Sequence, residues 1–161
     1  MCNFLSAFIH RKADKLPLSK RYKFGDLRSH SETAELCKIK YGADGDDWAE
    51  WEWTGDKEHD LTVRDCRDDV LKAILLADFP TRADAFNYGL ANIPQSVTTL
   101  DLSGATLPKG IKFPESVTTL YLSRATLPKG IKFPESVTTL YLYGATLPKG
   151  TQIPAKCKVY R

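Results

Sequence analysis

The chain has 161 residues, 42% of them hydrophobic and 27% charged, with a formal net charge of +3 at pH 7. Those proportions exclude collagen-like, low-complexity and intrinsically disordered classes, and no apolar run approaches the ~18 residues that a membrane-spanning helix needs. The charge is uneven: residues 93–161 carry nine Lys/Arg against three Asp/Glu, residues 1–92 fourteen against seventeen, and residues 11–40 alone nine against four, blocks that steer partners without identifying them.

In chain order, "NFLSAFIH" is short, lacks a basic leader and is followed by charge. It reads as a buried strand and not as a signal peptide. Residues 11–28 are basic and broken by Pro17 and Gly25, and read as loop. "SHSETAELCKI" opens on a serine cap and predicts a short helix. "YGADGDD" is a turn. "WAEWEW" alternates as a strand does, with Ala49, Trp51 and Trp53 on one face. "HDLTVRD" is a further strand after the Gly55–Asp56 turn. "CRDDVLKAILLADF" sets Val70, Leu71, Ile74 and Leu75 at helical spacing, with aspartates in the first turn where the helix dipole favours them. Pro80 stops that helix, and "TRADAFNYGL" predicts a second short one. Residues 1–92 are therefore expected to form a small α+β capping module.

From residue 93 the chain repeats itself. "SVTTLDLSGATLPKGIKFPE", "SVTTLYLSRATLPKGIKFPE" and "SVTTLYLYGATLPKG" follow one another at a 20-residue period. The apolar places recur together: Ile93, Phe113 and Phe133; Val97, Val117 and Val137; Leu100, Leu120 and Leu140; Leu102, Leu122 and Leu142; Leu107, Leu127 and Leu147. Units this short cannot bury their own apolar side, so they must stack on one shared core. L-x-L alternates at period two, which turns Leu100 and Leu102 inward and Thr99, Asp101 and Ser103 outward. The Leu-Pro-Lys-Gly and [IF]-Pro segments turn the chain twice per strand. No stretch between them is long enough for a helix. The last unit, "TQIPAKCKVYR", decays: Thr151 replaces isoleucine, Cys157 takes the valine place and Tyr160 the leucine place. A basic final strand of this kind protects an open sheet edge.

The pattern V-x-x-L-x-L-x-x-A-x-L-P resembles leucine-rich repeats, and its P-x-S-V lead-in resembles the short bacterial effector type and FNIP repeats. The resemblance covers residues 93 to about 150 and implies an α+β protein: a cap over 1–92, then a solenoid of parallel strands over 93–161. Where that family carries a buried asparagine, this chain has Ala105, Ala125 and Ala145, so Thr106, Thr126 and Thr146 are the candidates to replace it. The opening "MCNFLSA", the "SHSE" segment and the tryptophan-rich strand followed by "DLTVR" resemble a loose group of small phage and prophage proteins. That resemblance implies a mobile-element origin and brings no catalytic motif with it.

Chemistry-bearing motifs are sparse. Cys2, Cys37, Cys66 and Cys157 lack C-x-x-C spacing and read as reduced thiols of a cytoplasmic protein. His10, His30 and His59 lack metal spacing, and "DGDD" at Asp44–Asp47 breaks the order of an EF-hand loop because Trp48 follows it. An enzyme seated around His30, Glu32 and His59 is the weakest reading, because no catalytic motif accompanies them. No cofactor is expected.

The outward strand positions carry the binding expectation. Asp101, Tyr121 and Tyr141 share one phase, Ser103, Ser123 and Tyr143 the next, and Gly104, Arg124 and Gly144 a third. Tyrosine and arginine concentrated on one sheet are interface residues, large in area and cheap in rotamer entropy. Asp101, Tyr121, Arg124, Tyr141 and Tyr143 are thus the expected protein-binding residues, on a monomer that blocks its partner sterically. With the phage resemblance, the partner expected is a host defence protein, and the role anti-CRISPR-like. The alternative is nucleic-acid binding by Lys109, Lys129 and Lys149 together with the basic stretch 11–40. The lysines lack the interleaved aromatics of single-strand binders, and turn lysines also serve solubility.

Overall fold

The computed structural model describes residues 5–27, 30–40, 47–53, 61–63 and 69–161. The protein is mixed α/β, with two four-stranded sheets. The first is antiparallel and has the order β2-β1-β3-β4, from β1 (Leu5–His10), β2 (Tyr22–Lys23), β3 (Trp48–Trp53) and β4 (Leu61–Val63). The second is parallel, with the order β5-β6-β7-β8, from β5 (Thr99–Asp101), β6 (Thr119–Tyr121), β7 (Thr139–Tyr141) and β8 (Lys158–Tyr160). Helices α1 (Leu18–Arg21), α2 (His30–Leu36), α3 (Asp69–Asp78) and α4 (Arg82–Asn92) all precede the parallel sheet.

Register explains the first sheet. Leu5, Ala7 and Ile9 pair with Trp53, Trp51 and Ala49, so one face is wholly apolar and small residues meet large ones. On it lies an aromatic cluster: Trp51 stacks 6.2 Å from Phe79, and Tyr22 lies 4.9 Å from Phe79. The opposite face departs from the expectation for an alternating strand. Glu50 and Glu52 are only 4% and 2% exposed, and Phe8 beside them is fully buried. Alternation in the sequence marks which side chains share a face; it does not report that both faces are covered.

Two further expectations are corrected. The stretch read as loop, 11–28, contains a 3-10 turn at Ala13–Lys15, then α1 and β2. Short elements like these carry too few residues to show a period. On α3 only Leu71 and Leu75 are buried, whereas Val70 is 59% exposed. Val70 sits in the first turn, one residue ahead of the core stripe. Pro80 does end α3, and α4 begins on a capping box in which Thr81 Oγ1 accepts from the Asp84 amide and Asp84 accepts from the Thr81 amide. The strand expected from "HDLTVRD" is present over Leu61–Val63; the "YGADGDD" and Gly55–Asp56 turns lie outside the described residues apart from Asp47.

Helix α4 joins the two sheets. Gly89 lets it approach Phe24 so closely that a β-carbon there would stand 3.1 Å from the ring. At the other end Asn87 grips the first repeat twice. Its Nδ2 donates to Gly110 O at 3.1 Å, and its Oδ1 accepts from the Lys112 amide at 2.8 Å. The apolar side chains of both sheets then form one continuous core.

In the parallel sheet Thr99, Leu100 and Asp101 pair with Thr119, Leu120 and Tyr121, and these with Thr139, Leu140 and Tyr141. The pairing follows the sequence period residue for residue. Leu100, Leu120 and Leu140 are fully buried, each contributing about 2 kcal/mol by apolar burial. Ile111 and Ile131 join them, and Phe113 stacks 5.9 Å from Phe133. Each P-x-S-V lead-in closes as a tight turn, with the Val117 and Val137 amides donating to Pro114 O and Pro134 O. Where the asparagine would stand, main-chain bonds link the repeats: Thr126 N donates to Ala105 O at 2.9 Å, and Leu107 N to Thr126 O at 3.0 Å. Side-chain bonds between repeats include Ser136 Oγ donating to Val117 O at 2.8 Å, and the Thr118 and Thr138 hydroxyls reaching Thr98 O and Thr118 O at 3.3 and 3.4 Å.

The last strand is offset by one residue. Cys157 N donates to Pro154 O, as the valines do in earlier units, so Cys157 keeps the valine place. One threonine of V-T-T-L is then missing, and Lys158, Val159 and Tyr160 pair with Thr139, Leu140 and Tyr141. Val159, not Tyr160, holds the leucine place, and Tyr160 points outward.

Candidate functional site

The outward face of the parallel sheet carries a column of stacked phenols. Tyr121 and Tyr141 lie 4.4 Å apart with rings 1° from parallel. Tyr160 continues the column 4.8 Å beyond Tyr141 at 15°. Tyr143 flanks it, 6.3 Å from Tyr141. Parallel strands place equal phases about 4.8 Å apart, so a repeated tyrosine must stack on its copy. The arrangement thus follows from duplication plus strand geometry. Tyr143 and Tyr160 are 50% and 40% exposed, large apolar side chains offered to solvent.

The column is framed by two different residues. At its start Asp101 occupies the tyrosine phase on the edge strand β5 and accepts from the Ser103 amide at 2.9 Å. Beside it runs the row Gly104, Arg124 and Gly144, all in the left-handed region at φ 73°, 58° and 69°. Glycine takes that conformation freely, but arginine does not. The Arg124 stem lies against Gly144, its Cγ 3.3 Å from where a β-carbon would sit. Arginine thus stands at a position that is glycine in the neighbouring repeats, and Arg124 is exposed one repeat before Gly144, the residue after Tyr143.

All five residues expected to bind protein, Asp101, Tyr121, Arg124, Tyr141 and Tyr143, therefore fall on one sheet face. Tyr160 belongs with them and was missed. Its signal is the alternation of "KVY" against "TLY", visible once a residue is dropped from the last unit. Lys109, Lys129 and Lys149 are exposed at successive turns, away from the tyrosine strands.

The hydroxyl of Tyr141 is pushed above its ordinary ionisation range, first by desolvation within the stack and then by its neighbour Tyr121. Tyr141 therefore stays protonated beyond the ordinary range, a neutral hydrogen-bonding tip on an apolar wall. Among the described residues no three His, Cys, Asp or Glu side chains gather as metal ligands. Cys37 and Cys157 carry free thiols, both pushed up by burial. His59 lies outside the described residues, as do Cys2 and Cys66. None of the described helices is long and apolar enough to cross a membrane.

No protein-family model, curated protein or solved structure matches the chain.

Proposed function

We propose that the chain is a non-catalytic protein-binding module in which residues 1–92 cap a short leucine-rich-repeat solenoid spanning 93–161. The observation that carries this reading is the stacked column Tyr121–Tyr141–Tyr160 with Tyr143 at its side. Stacking holds the rings in place before any partner arrives, so little side-chain entropy is lost on docking. The solenoid reading is supported by a parallel register that repeats with the sequence and by turns of the same form in each unit. Together with the phage resemblance, the reading is of an inhibitor of a host defence protein that acts in the host cytoplasm by covering a working surface. Steric occlusion asks only for a rigid face.

The test is affinity capture from a bacterial host with the wild-type chain and with a Tyr121→Ala/Tyr141→Ala variant of unchanged circular dichroism. Specific capture by the wild type and its loss in the variant is the expected result. Equal capture by both assigns binding elsewhere. The competing nucleic-acid reading, through Lys109, Lys129 and Lys149, predicts instead a gel shift that weakens steeply with salt.

A further inference from the structure

A cleft of about 560 Å³ opens where β1, β2 and β3 meet α1 and the end of α4. Its walls include Phe24, Trp48 and Tyr88, and its polar groups include His10, Lys20 and Lys23. The volume falls within the range of small-molecule sites. It shares no lining residue with the tyrosine column, and none of its lining residues among the described ones is Asp or Glu.

Its charge is positive for local reasons. Lys20 and Lys23 are exposed, and neither pairs with a carboxylate among the described residues. The carboxylate just behind the wall, Asp78, is already engaged. Arg21 Nη1 donates to both its oxygens at 2.8 and 2.9 Å, and Tyr22 donates its hydroxyl to Oδ2 at 2.5 Å. His10 Nδ1 accepts from the Lys12 amide at 3.0 Å, which leaves its proton on Nε2, as a hydrogen-bond donor.

The aromatic component is organised as well. The Lys23 ammonium rests 5.6 Å from the centroid of the half-exposed Trp48 ring, and the His10 ring meets that indole edge-on at 5.0 Å. An incoming anion draws the ammonium towards itself, because a charge-assisted hydrogen bond outweighs an exposed cation–π contact. That movement uncovers the indole face for a planar ring.

We infer that this cleft is a binding site for a planar aromatic anion of mononucleotide size, with Lys20 and Lys23 holding the anionic group and Trp48 the ring. The inference is independent of the protein-binding face.

Isothermal titration with adenosine 5′-monophosphate, adenosine and ribose 5-phosphate separates the contributions of ring and charge. The expected order is monophosphate tightest, with adenosine weaker by about tenfold for the lost charge-assisted contact and ribose 5-phosphate weaker for the lost ring contact with Trp48. In Lys20→Ala/Lys23→Ala the monophosphate loses its advantage over adenosine, while adenosine itself binds no more weakly, because the indole face is no longer covered by Lys23. The Trp48 indole N–H resonance shifts on addition of monophosphate, and those of the buried Trp51 and Trp53 do not. Both lysines are exposed, and an unchanged unfolding midpoint shows that the variant retains its fold. The inference is overturned by absence of saturable monophosphate binding at millimolar concentration. It is equally overturned if the folded double variant keeps the preference for monophosphate, or if the Trp48 resonance stays in place during binding.

Discussion

Asp101 Oδ1 accepts the Ser103 amide at 2.9 Å, and so satisfies a main-chain donor on the edge strand of the parallel sheet. Leu102 N donates to Tyr121 O, so on a parallel ladder the amides on either side of it face away from β6. Unpaired edge amides invite a strand from another molecule. The first repeat carries aspartate where later ones carry tyrosine, and that aspartate satisfies one amide on the outer side of β5. Asp101→Ala should cost about 1 kcal/mol for the lost charged hydrogen bond. It should also raise the sedimentation coefficient of concentrated protein as the edge recruits a second chain. A variant that loses stability and stays monodisperse would confine Asp101 to a local turn.

Arg124 offers a separation of stability from binding. Its φ of 58° is the left-handed conformation that Gly104 and Gly144 hold in neighbouring repeats. A non-glycine residue there costs roughly 1 kcal/mol. Arg124→Gly should therefore raise the melting temperature, by a few degrees for about 1 kcal/mol in a chain of this size. Capture of the partner should weaken in the same variant, because the exposed guanidinium is gone. A rise in both stability and capture would remove Arg124 from the interface.

The repeat was legible in the sequence because a strand's period and a duplicated motif both survive in the residues themselves. Leu100, Leu102 and their copies are buried, and the copied tyrosines stack, as alternation and period require. What escaped was local arithmetic. A single dropped threonine moves Tyr160 from the inside to the outside, since a one-residue slip exchanges strand faces. The N-terminal part was legible by element and not by burial. Alternation puts Ala49, Trp51 and Trp53 on one face and does not show that Glu50 and Glu52 are buried too, because coverage of a sheet's second face depends on segments distant in sequence. The cleft at Lys20, Lys23 and Trp48 was likewise invisible, for it draws on residues 10 to 94.

Tyr160 ends the column and should matter as much as its interior members. Tyr160→Ala removes a ring 4.8 Å from Tyr141 and leaves one face of that ring bare. Loss of the stacking is expected to cost about 1 kcal/mol. Partner affinity should fall at least as far as in Tyr121→Ala, because Tyr160 is the more exposed of the two. Measuring both variants against the captured partner by surface plasmon resonance decides it. A neutral Tyr160→Ala would restrict the interface to β6 and β7.

Asn87 should control whether the first repeat stays docked. It spends both ends of its amide on the main chain of Gly110 and Lys112. Asn87→Ala removes both bonds and should cost about 1 to 2 kcal/mol in urea unfolding. Asn87→Asp is the sharper test. A carboxylate can still accept from Lys112 N, but it turns an acceptor toward Gly110 O. Protonation restores a donor, so the folded state raises the pKa of the introduced acid. The deficit relative to wild type should then be present near neutral pH and shrink as pH falls toward about 4 and below. A deficit independent of pH would mean that α4 and the repeat are held by packing alone.

Tyr22 makes the fold sensitive to alkali. Its hydroxyl ionises far above the ordinary value of 10.0, first because it is buried and then because it donates to Asp78. Below pH 10 the group is neutral in both folded and unfolded chains and its contribution is fully present. Above that value the unfolded chain loses the proton while the folded chain keeps it, so stability falls as pH rises. The slope per such tyrosine is about 1.4 kcal/mol per pH unit. Tyr88 and Tyr141 are displaced in the same direction and add to it. Urea unfolding at about pH 9 and about pH 11 should show the loss, and Tyr22→Phe should lower stability at the first pH but flatten the decline between them. An undiminished decline in Tyr22→Phe would move the alkaline sensitivity from Tyr22 onto Tyr88 and Tyr141.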